Sequence, residues 1–290
     1  MKKTILFGGT GLLGSIFLRD NPDIISVGRS NPGKGVNHII IPDMDKLDPL
    51  DDIDIGNVIF LIGNSNHSLI NKSSSIGVRD NVLPLKKVLH YLQNRSISKF
   101  VCFSTILLYG DKSKDRPVNE NDEIFPYQNE YVFSKYLAEQ VVGYYKDSVP
   151  IINIRLSNVY GDTSLIRPDL IPALAQDVLS SDKPSVWNMK PQRDFIFASD
   201  AVEAVMRLLE TDFTGTVNIG AGTMHSVREV AKIFEDLSGK KIVSLEKKVS
   251  GVMRFVTDIS LLQSLTGWKP KYSLREGIAR TYHAMEKYEK

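Results

Sequence analysis

Short apolar runs alternate along this chain with longer stretches whose apolar positions recur every three or four residues. Thr4–Phe7, Ile24–Val27, His38–Ile41, Asn57–Ile62, Phe100–Ser104 and Ile151–Leu156 have strand length and are apolar or β-branched. Between them Leu12–Arg19, Val82–Leu92 and Glu130–Tyr145 read as helices, the second with apolar residues at Val82, Leu85, Val88, Leu89 and Leu92. The strand runs are continuously apolar rather than alternating, the pattern of a parallel sheet covered on both faces. Helices between such strands predict a doubly wound α/β domain.

Beyond Tyr160 the pattern loosens. Asp169–Leu179 reads as a helix, followed by a polar stretch holding Pro184 and Pro191. Ser199–Leu209 is a further helix, Val217–Ile219 a short strand, Ser226–Leu237 a helix and Leu274–Glu286 the last one. A chain of 290 residues accommodates one large domain with a smaller lobe. The expected division is a first domain of residues 1–160 to which 194–220 returns, and a lobe of 161–193 and 221–290. No internal repeat, low-complexity tract or long linker interrupts it.

Composition changes this picture little. Apolar residues make up 42%, charged residues 24%, and the net charge is +2, so the surface as a whole offers no attraction to nucleic acid or membrane. Lys86-Lys87 and Lys240-Lys241 stand among acids as solvated faces, and no basic stripe interleaved with aromatics suggests RNA binding. Met1-Lys2-Lys3 before Thr4–Phe7 looks superficially like an export leader, but Gly8 and Gly9 break the apolar stretch. No run approaches the ~18 apolar residues of a membrane span. The single cysteine, Cys102, sits in an apolar strand and reads as core packing; it makes no internal disulfide, and a cytoplasmic location is expected. His67 and His225 read as loop residues, and no His/Cys/Asp spacing suggests a metal.

Candidate chemistry begins at Ile5-Leu-Phe-Gly-Gly-Thr-Gly-Leu-Leu-Gly14, which ends the first strand and opens the first helix. Gly8, Gly11 and Gly14 leave the backbone bare enough to approach a pyrophosphate. The N–H groups of the helix opening, at Leu12 and Leu13, and the helix dipole would hold it. This is the layout of a Rossmann-type dinucleotide site. The second strand ends Ser26-Val-Gly-Arg-Ser30, without the acid that would favour NAD through the ribose hydroxyls. Arg29 and Ser30 suit a 2′-phosphate instead, so NADP(H) is favoured and NAD(H) is the alternative. Asp43, after the third strand, is a candidate for the adenine amino group, the alternative being a simple loop aspartate.

Tyr131-Val-Phe-Ser-Lys135 places a phenol and an ammonium four residues apart on one helix face. A nearby lysine charge favours the phenolate, bringing a group that titrates near ~10 toward useful acid–base work. Upstream, the strand in Phe103-Ser-Thr-Ile-Leu-Leu-Tyr109-Gly110 ends in two hydroxyls able to hold a carbonyl or alkoxide oxygen.

These motifs occur in one order with Arg155-Leu-Ser-Asn-Val-Tyr-Gly161, Arg193-Asp-Phe-Ile196, Val217-Asn-Ile-Gly220 and Gly267-Trp-Lys-Pro…Ser273-Leu-Arg-Glu-Gly277. Over nearly the whole chain that succession resembles the extended short-chain dehydrogenases, the NAD-dependent epimerase/dehydratase family that modifies nucleotide-activated sugars. The resemblance implies a triad of Thr105, Tyr131 and Lys135, with Tyr131 moving the proton. Lys135 would hold the nicotinamide ribose, and Thr105 would bond the reacting substrate oxygen. It further implies that Ile62, Gly63 and Asn81 lie at the cofactor. Asn158, Arg193 and Arg254 would bind the sugar nucleotide's diphosphate, the alternative for Arg193 being an ion pair with Asp194 or Asp200.

Dehydratases of this family carry an Asp-Glu pair after the active-site hydroxyl, where this chain has Ile106 and Leu107. That leaves a reductase and a 4-epimerase. The second-strand end leans toward an NADPH-dependent 4-keto-6-deoxy sugar nucleotide reductase, with a 4-epimerase holding NAD as the alternative. A non-catalytic NAD(P)-binding scaffold or sensor is the third reading, opposed by the intact Tyr131/Lys135 pair. The family resemblance also implies a homodimer, formed through the helix carrying Tyr131 and its neighbour.

Overall fold

The computed structural model describes residues 2–110, 116–161, 168–249 and 252–289. The first part of the chain runs β1 (Lys3–Phe7), α1 (Leu12–Asp20), β2 (Ile25–Gly28), β3 (His38–Ile40), β4 (Ile55–Phe60), α2 (His67–Ile70) and α3 (Ser74–Gly77). It continues through α4 (Leu83–Leu92), β5 (Lys99–Thr105), α5 (Glu130–Tyr145) and β6 (Ile151–Leu156). There follow β7 (Asn158–Tyr160), α6 (Leu170–Ser180), β8 (Ser185–Val186), β9 (Gln192–Phe197), α7 (Ala198–Leu209) and β10 (Gly215–Ile219). The last elements are β11 (Met224–Ser226), α8 (Val227–Ser238), β12 (Val243–Ser244), α9 (Ser260–Thr266) and α10 (Leu274–Glu289).

Among the described residues the main sheet has seven strands in the order β10-β6-β5-β4-β1-β2-β3. The pairings of β1 with β2 and β4, of β2 with β3, and of β5 with β4 and β6 are all parallel, with Ile5 opposite both Ile25 and Val58. This is the Rossmann-type doubly wound sheet expected from the continuous apolar runs. Its core joins Ile5, Phe7, Val58, Phe60 and Phe100 from the strands to Val88, Leu89 and Leu92 from α4, all nearly inaccessible. The strand order reverses between β1 and β4, the place where open α/β sheets present a crevice at the carboxyl ends of their strands.

The chain divides into two compact units, one of Met1–Leu108, Ile124–Leu156 and Met206–Val217, the other of Tyr109–Glu123, Ser157–Val205 and Asn218–Lys290. The returning segment is thus shorter than the 194–220 expected. The reason is β9, which pairs with β7 and β11 in a three-stranded sheet of the second unit. These three strands were not expected: they are short, and Pro191 disguises the start of the longest. The second unit buries its own core of Tyr160, Phe195, Phe197, Leu174, Phe234 and Ile278.

The helix expected over 82–92 is also cut shorter. A π-helical turn, Val78–Val82, precedes α4, which starts at Leu83 with Pro84 in its first turn, where a missing N–H costs nothing. Among the described residues no helix is long and apolar enough to cross a membrane.

Candidate active site

The glycine turn is built by contact. Gly8 adopts φ +93°, in the left-handed region, and a side chain there would press on the backbone of Leu61 and Ile62 at 3.1 Å. The turn is tied down on both sides, the Leu61 amide donating to the Phe7 carbonyl at 2.9 Å and Gly8 N–H to Val27 at 3.4 Å. Gly14 packs so closely on Gly8 and Gly9 that any side chain would strike their backbone. Gly11, by contrast, faces space, and as N-cap of α1 it supplies no side-chain acceptor to the first turn. The helix opening at Leu12 and Leu13 is therefore free of a side-chain cap, an arrangement that fits a pyrophosphate.

At the end of β2, Arg29 and Ser30 are exposed. The hydrogen bond from Arg79 holds the Asp80 carboxyl below its ordinary range, and the charge of Arg29 adds to that effect. Asp43 is exposed and accepts the Asp45 N–H at 3.0 Å, closing its own turn. That local bond is a structural use for Asp43 that the sequence reading set beside adenine recognition.

Tyr131, Lys135 and Glu139 are spaced four apart on α5, hence on one face. Asn129 caps the helix by accepting from Val132 N–H at 3.0 Å, while the Tyr131 N–H donates to Asn71 Oδ1 at 3.1 Å. Tyr131 is buried, and its ring lies against the His67 ring with centroids 3.8 Å apart and planes at 24°. Lys135 Nζ donates to the Phe103 carbonyl at 3.0 Å. Burial pushes its pKa down to about 8, partly countered by the negative potential of Glu139. Glu139 is in turn gripped by Arg155, Nε to Oε1 at 3.0 Å and Nη2 to Oε2 at 2.8 Å.

Asn81 works as a buried strut. Its Oδ1 accepts from Asn64 N–H at 2.6 Å, its Nδ2 donates to Ser134 Oγ at 2.9 Å, and Ser134 passes a bond to the Tyr131 carbonyl at 2.8 Å. Gly63 lies alongside: a Cβ there would come within 3.0 Å of Asn81 Oδ1 and 3.7 Å of Lys135 Nζ. Ile62, Gly63, Asn81 and Lys135 are thus brought together.

Thr105 is buried at the end of β5, its Oγ1 accepting from Leu107 N–H at 3.2 Å. The Ser104 hydroxyl is buried without a hydrogen-bond partner among the described residues, in a cavity of about 30 Å³ that Lys135, Cys102 and Asn153 also line. Cys102 is core, its thiol pushed up to about 12 by burial. The bare glycine turn and the uncapped helix start together fit the pyrophosphate of a dinucleotide.

Sequence reading missed four residues around Tyr131: His67, Asn71, Ser134 and Glu139. Glu139 and Ser134 were signalled by the helical face they share with the Tyr131/Lys135 pair. His67 and Asn71 show only an i, i+4 spacing in a polar stretch. His67 opens α2 and His225 lies in β11, so neither is the loop residue expected.

In the second unit Asn158, Arg193 and Arg254 gather around β9. Asn158 sits opposite Phe195 and donates from Nδ2 to the Asp194 carbonyl at 2.9 Å, while exposed Arg254 bridges by its backbone to Gln192. Asp194 is fully buried and accepts N–H bonds from Ala221 at 2.8 Å and from Gly222 and Thr257 at 3.1 Å, although burial still raises its pKa. Asp200 accepts from the Lys271 and Tyr272 amides, both at 3.1 Å. Both carboxylates thus accept backbone N–H groups. Gly220 makes room for this, since a side chain would come within 2.5 Å of Asp194 Oδ2.

This chain is similar to several known proteins. An uncharacterized UDP-glucose epimerase, YtcB, of Bacillus subtilis is 32% identical over 68% of this chain, a match spanning 64% of the relative, less than two thirds of its length. A putative UDP-glucose 4-epimerase of Methanocaldococcus jannaschii is 28% identical over 97% of this chain and 98% of its own. The fold is that of the UDP-glucose 4-epimerase of Thermotoga maritima solved with UDP-glucose, with a TM-score of 0.88 at 20% identity over 99% of this chain and all of the other. Residues 4–220, which hold the glycine turn, Thr105, Tyr131, Lys135, Asn158 and Arg193, match the model of the NAD dependent epimerase/dehydratase family, and this chain belongs to that enzyme family.

Proposed function

We propose that the protein is a nucleotide-sugar 4-epimerase acting on a UDP-hexose with a tightly held nicotinamide dinucleotide. The observation that carries this reading is the similarity to the putative UDP-glucose 4-epimerase of Methanocaldococcus jannaschii, which runs through essentially the whole of both chains. When bound, the dinucleotide supplies a reversible hydride acceptor. With the dinucleotide bound, Tyr131 would take the proton of the sugar C4 hydroxyl and give it back to the same oxygen at the end of the cycle. Thr105 holds the same oxygen, and Lys135 favours the tyrosinate and holds the ribose. Gly8, Gly11, Leu12, Leu13, Gly14, Ile62, Gly63 and Asn81 form the cofactor cradle, and Asn158, Arg193 and Arg254 take the diphosphate. Leu83 on α4 and Tyr144 on α5 are exposed, which supports a homodimer through these helices.

The ketosugar reductase is the second reading. It is favoured by exposed Arg29 and Ser30 and by the lack of an acid at the end of β2, which also favour NADP(H) over NAD(H). Purified protein incubated with UDP-glucose and no added cofactor should yield UDP-galactose. Consumption of NADPH with a 4-keto-6-deoxy sugar nucleotide, and no hexose interconversion, would establish the reductase. Turnover of neither would point to the scaffold.

A further inference from the structure

We infer that His67 is a positioning residue for Tyr131, its imidazole fixing the plane of the phenol ring. The inference rests on Tyr131 being the proton-handling group of the proposed reaction. It starts from the closest ring pair in the first unit: centroids 3.8 Å apart, planes at 24°. A tyrosine turns about two side-chain torsions, and the second is broad; the phenol oxygen lies on its axis, so this rotation swings the ring plane and with it the in-plane direction of the O–H and its lone pairs. A flat partner laid on one face fixes that plane.

The same short helix holds Tyr131 twice. One turn after His67, Asn71 accepts the Tyr131 N–H at 3.1 Å, so ring and backbone are gripped from the first residue of α2 and from the residue that ends it. The helix is itself seated. Asn66 caps it by accepting from Leu69 N–H at 3.0 Å, and Ile70 is completely buried in a cluster with Leu108, Tyr131 and Val132. His67 is exposed, so its position contributes little hydrophobic burial, and its ring lies against that of Tyr131. Behind the ring, Ser134 fixes the Tyr131 carbonyl, so the backbone is held from two sides and the ring from a third.

The test compares wild type, His67→Ala and His67→Phe, the last keeping a flat ring. Two readouts are followed: kcat and KM for UDP-hexose interconversion, and the ring resonances of Tyr131 in 13C-tyrosine-labelled protein, assigned by their loss in Tyr131→Phe. In His67→Ala the Tyr131 resonances should move as the neighbouring ring current disappears, and kcat should fall about tenfold with KM within about twofold. His67→Phe should restore kcat to within about threefold of wild type. Unmoved resonances, an unchanged kcat, a rise confined to KM, or a Phe variant no better than Ala would each overturn the inference. If the resonances move but no sugar nucleotide is turned over, the contact stands and the proposed function falls instead.

Discussion

Arg155 holds Glu139 with two nitrogens, Nε and Nη2, and both side chains are about nine-tenths buried, at 9% and 10% exposure. The pair ties β6 to α5 one helical turn past Lys135. Removing one partner of a buried bidentate pair leaves the other charged and unsatisfied. Glu139→Gln should therefore lower stability by ~3–5 kcal/mol, read as a lower urea midpoint. The double change Glu139→Leu with Arg155→Met should recover much of the loss; a midpoint unaffected by the single change would show that the pair carries no weight.

Lys135 gives two opposite trends with pH. Its folded pKa, about 8, lies below the ordinary 10.5, so between those values the unfolded chain carries the extra proton. Stability contributed by this group therefore rises with pH from about 8 to about 10.5 and is at its lower level below that window. The positive charge, meanwhile, is lost on passing upward through 8, and kcat/KM should fall over the same step. The urea midpoint of wild type, taken relative to that of Lys135→Met, should rise between about pH 8 and 10.5, and a kcat/KM flat to pH 10 would refute the assignment of Lys135.

Gly14→Ala tests the glycine turn. The added methyl meets the backbone of Gly8 and Gly9, which cannot move aside as a side-chain tip could. A loss of ~1–3 kcal/mol is expected from overpacking, with weaker dinucleotide binding in titration. Gly11→Ala, which meets nothing closer than 3.8 Å, should leave the melting temperature nearly unchanged while still weakening the cofactor.

Arg29→Ala addresses cofactor choice. Removing a charge-assisted contact worth ~1.5–3 kcal/mol should cost NADPH about 10- to 100-fold in affinity and leave NADH within about threefold. Equal losses for both dinucleotides would remove Arg29 from the 2′-phosphate.

In the second unit, Gly220→Ala should dislodge the Asp194 carboxylate and strand the amides of Ala221 and Gly222, costing ~1–3 kcal/mol for each bond left unmade. Asp194→Asn should act in the same direction, because its amide end presents a donor to donors. Wild-type urea midpoints in both would refute this account of the glycine.

Much of the fold was legible because its signals are local. Glu130–Tyr145 and Ile151–Leu156 begin and end where the apolar pattern places them. Gly8 and Gly14 were readable for the same reason, being required by backbone contacts within a single turn. What stayed hidden depends on distant partners. Nothing near His67 reports a ring that lies more than sixty residues further along, and the stretch from Leu61 to Asn81 has no apolar period. Gln192–Phe197 is a strand only because β7 and β11 come to flank it. Asp43 could be read either way because an aspartate that closes its own turn looks, in sequence, like one that waits for a ligand.

The order of the main sheet has a further consequence, for how such a protein can change over time. Arg29 follows β2 and Thr105 ends β5, with β1 and β4 standing between them. Three strand spacings amount to roughly 14 Å, beyond the range at which substitutions usually interact. Changes at the two places should then add in free energy without interfering. A descendant could exchange one dinucleotide for another by editing the end of β2 while the residues around Tyr131 stay untouched, and could acquire a new sugar reaction on the far flank while keeping its coenzyme.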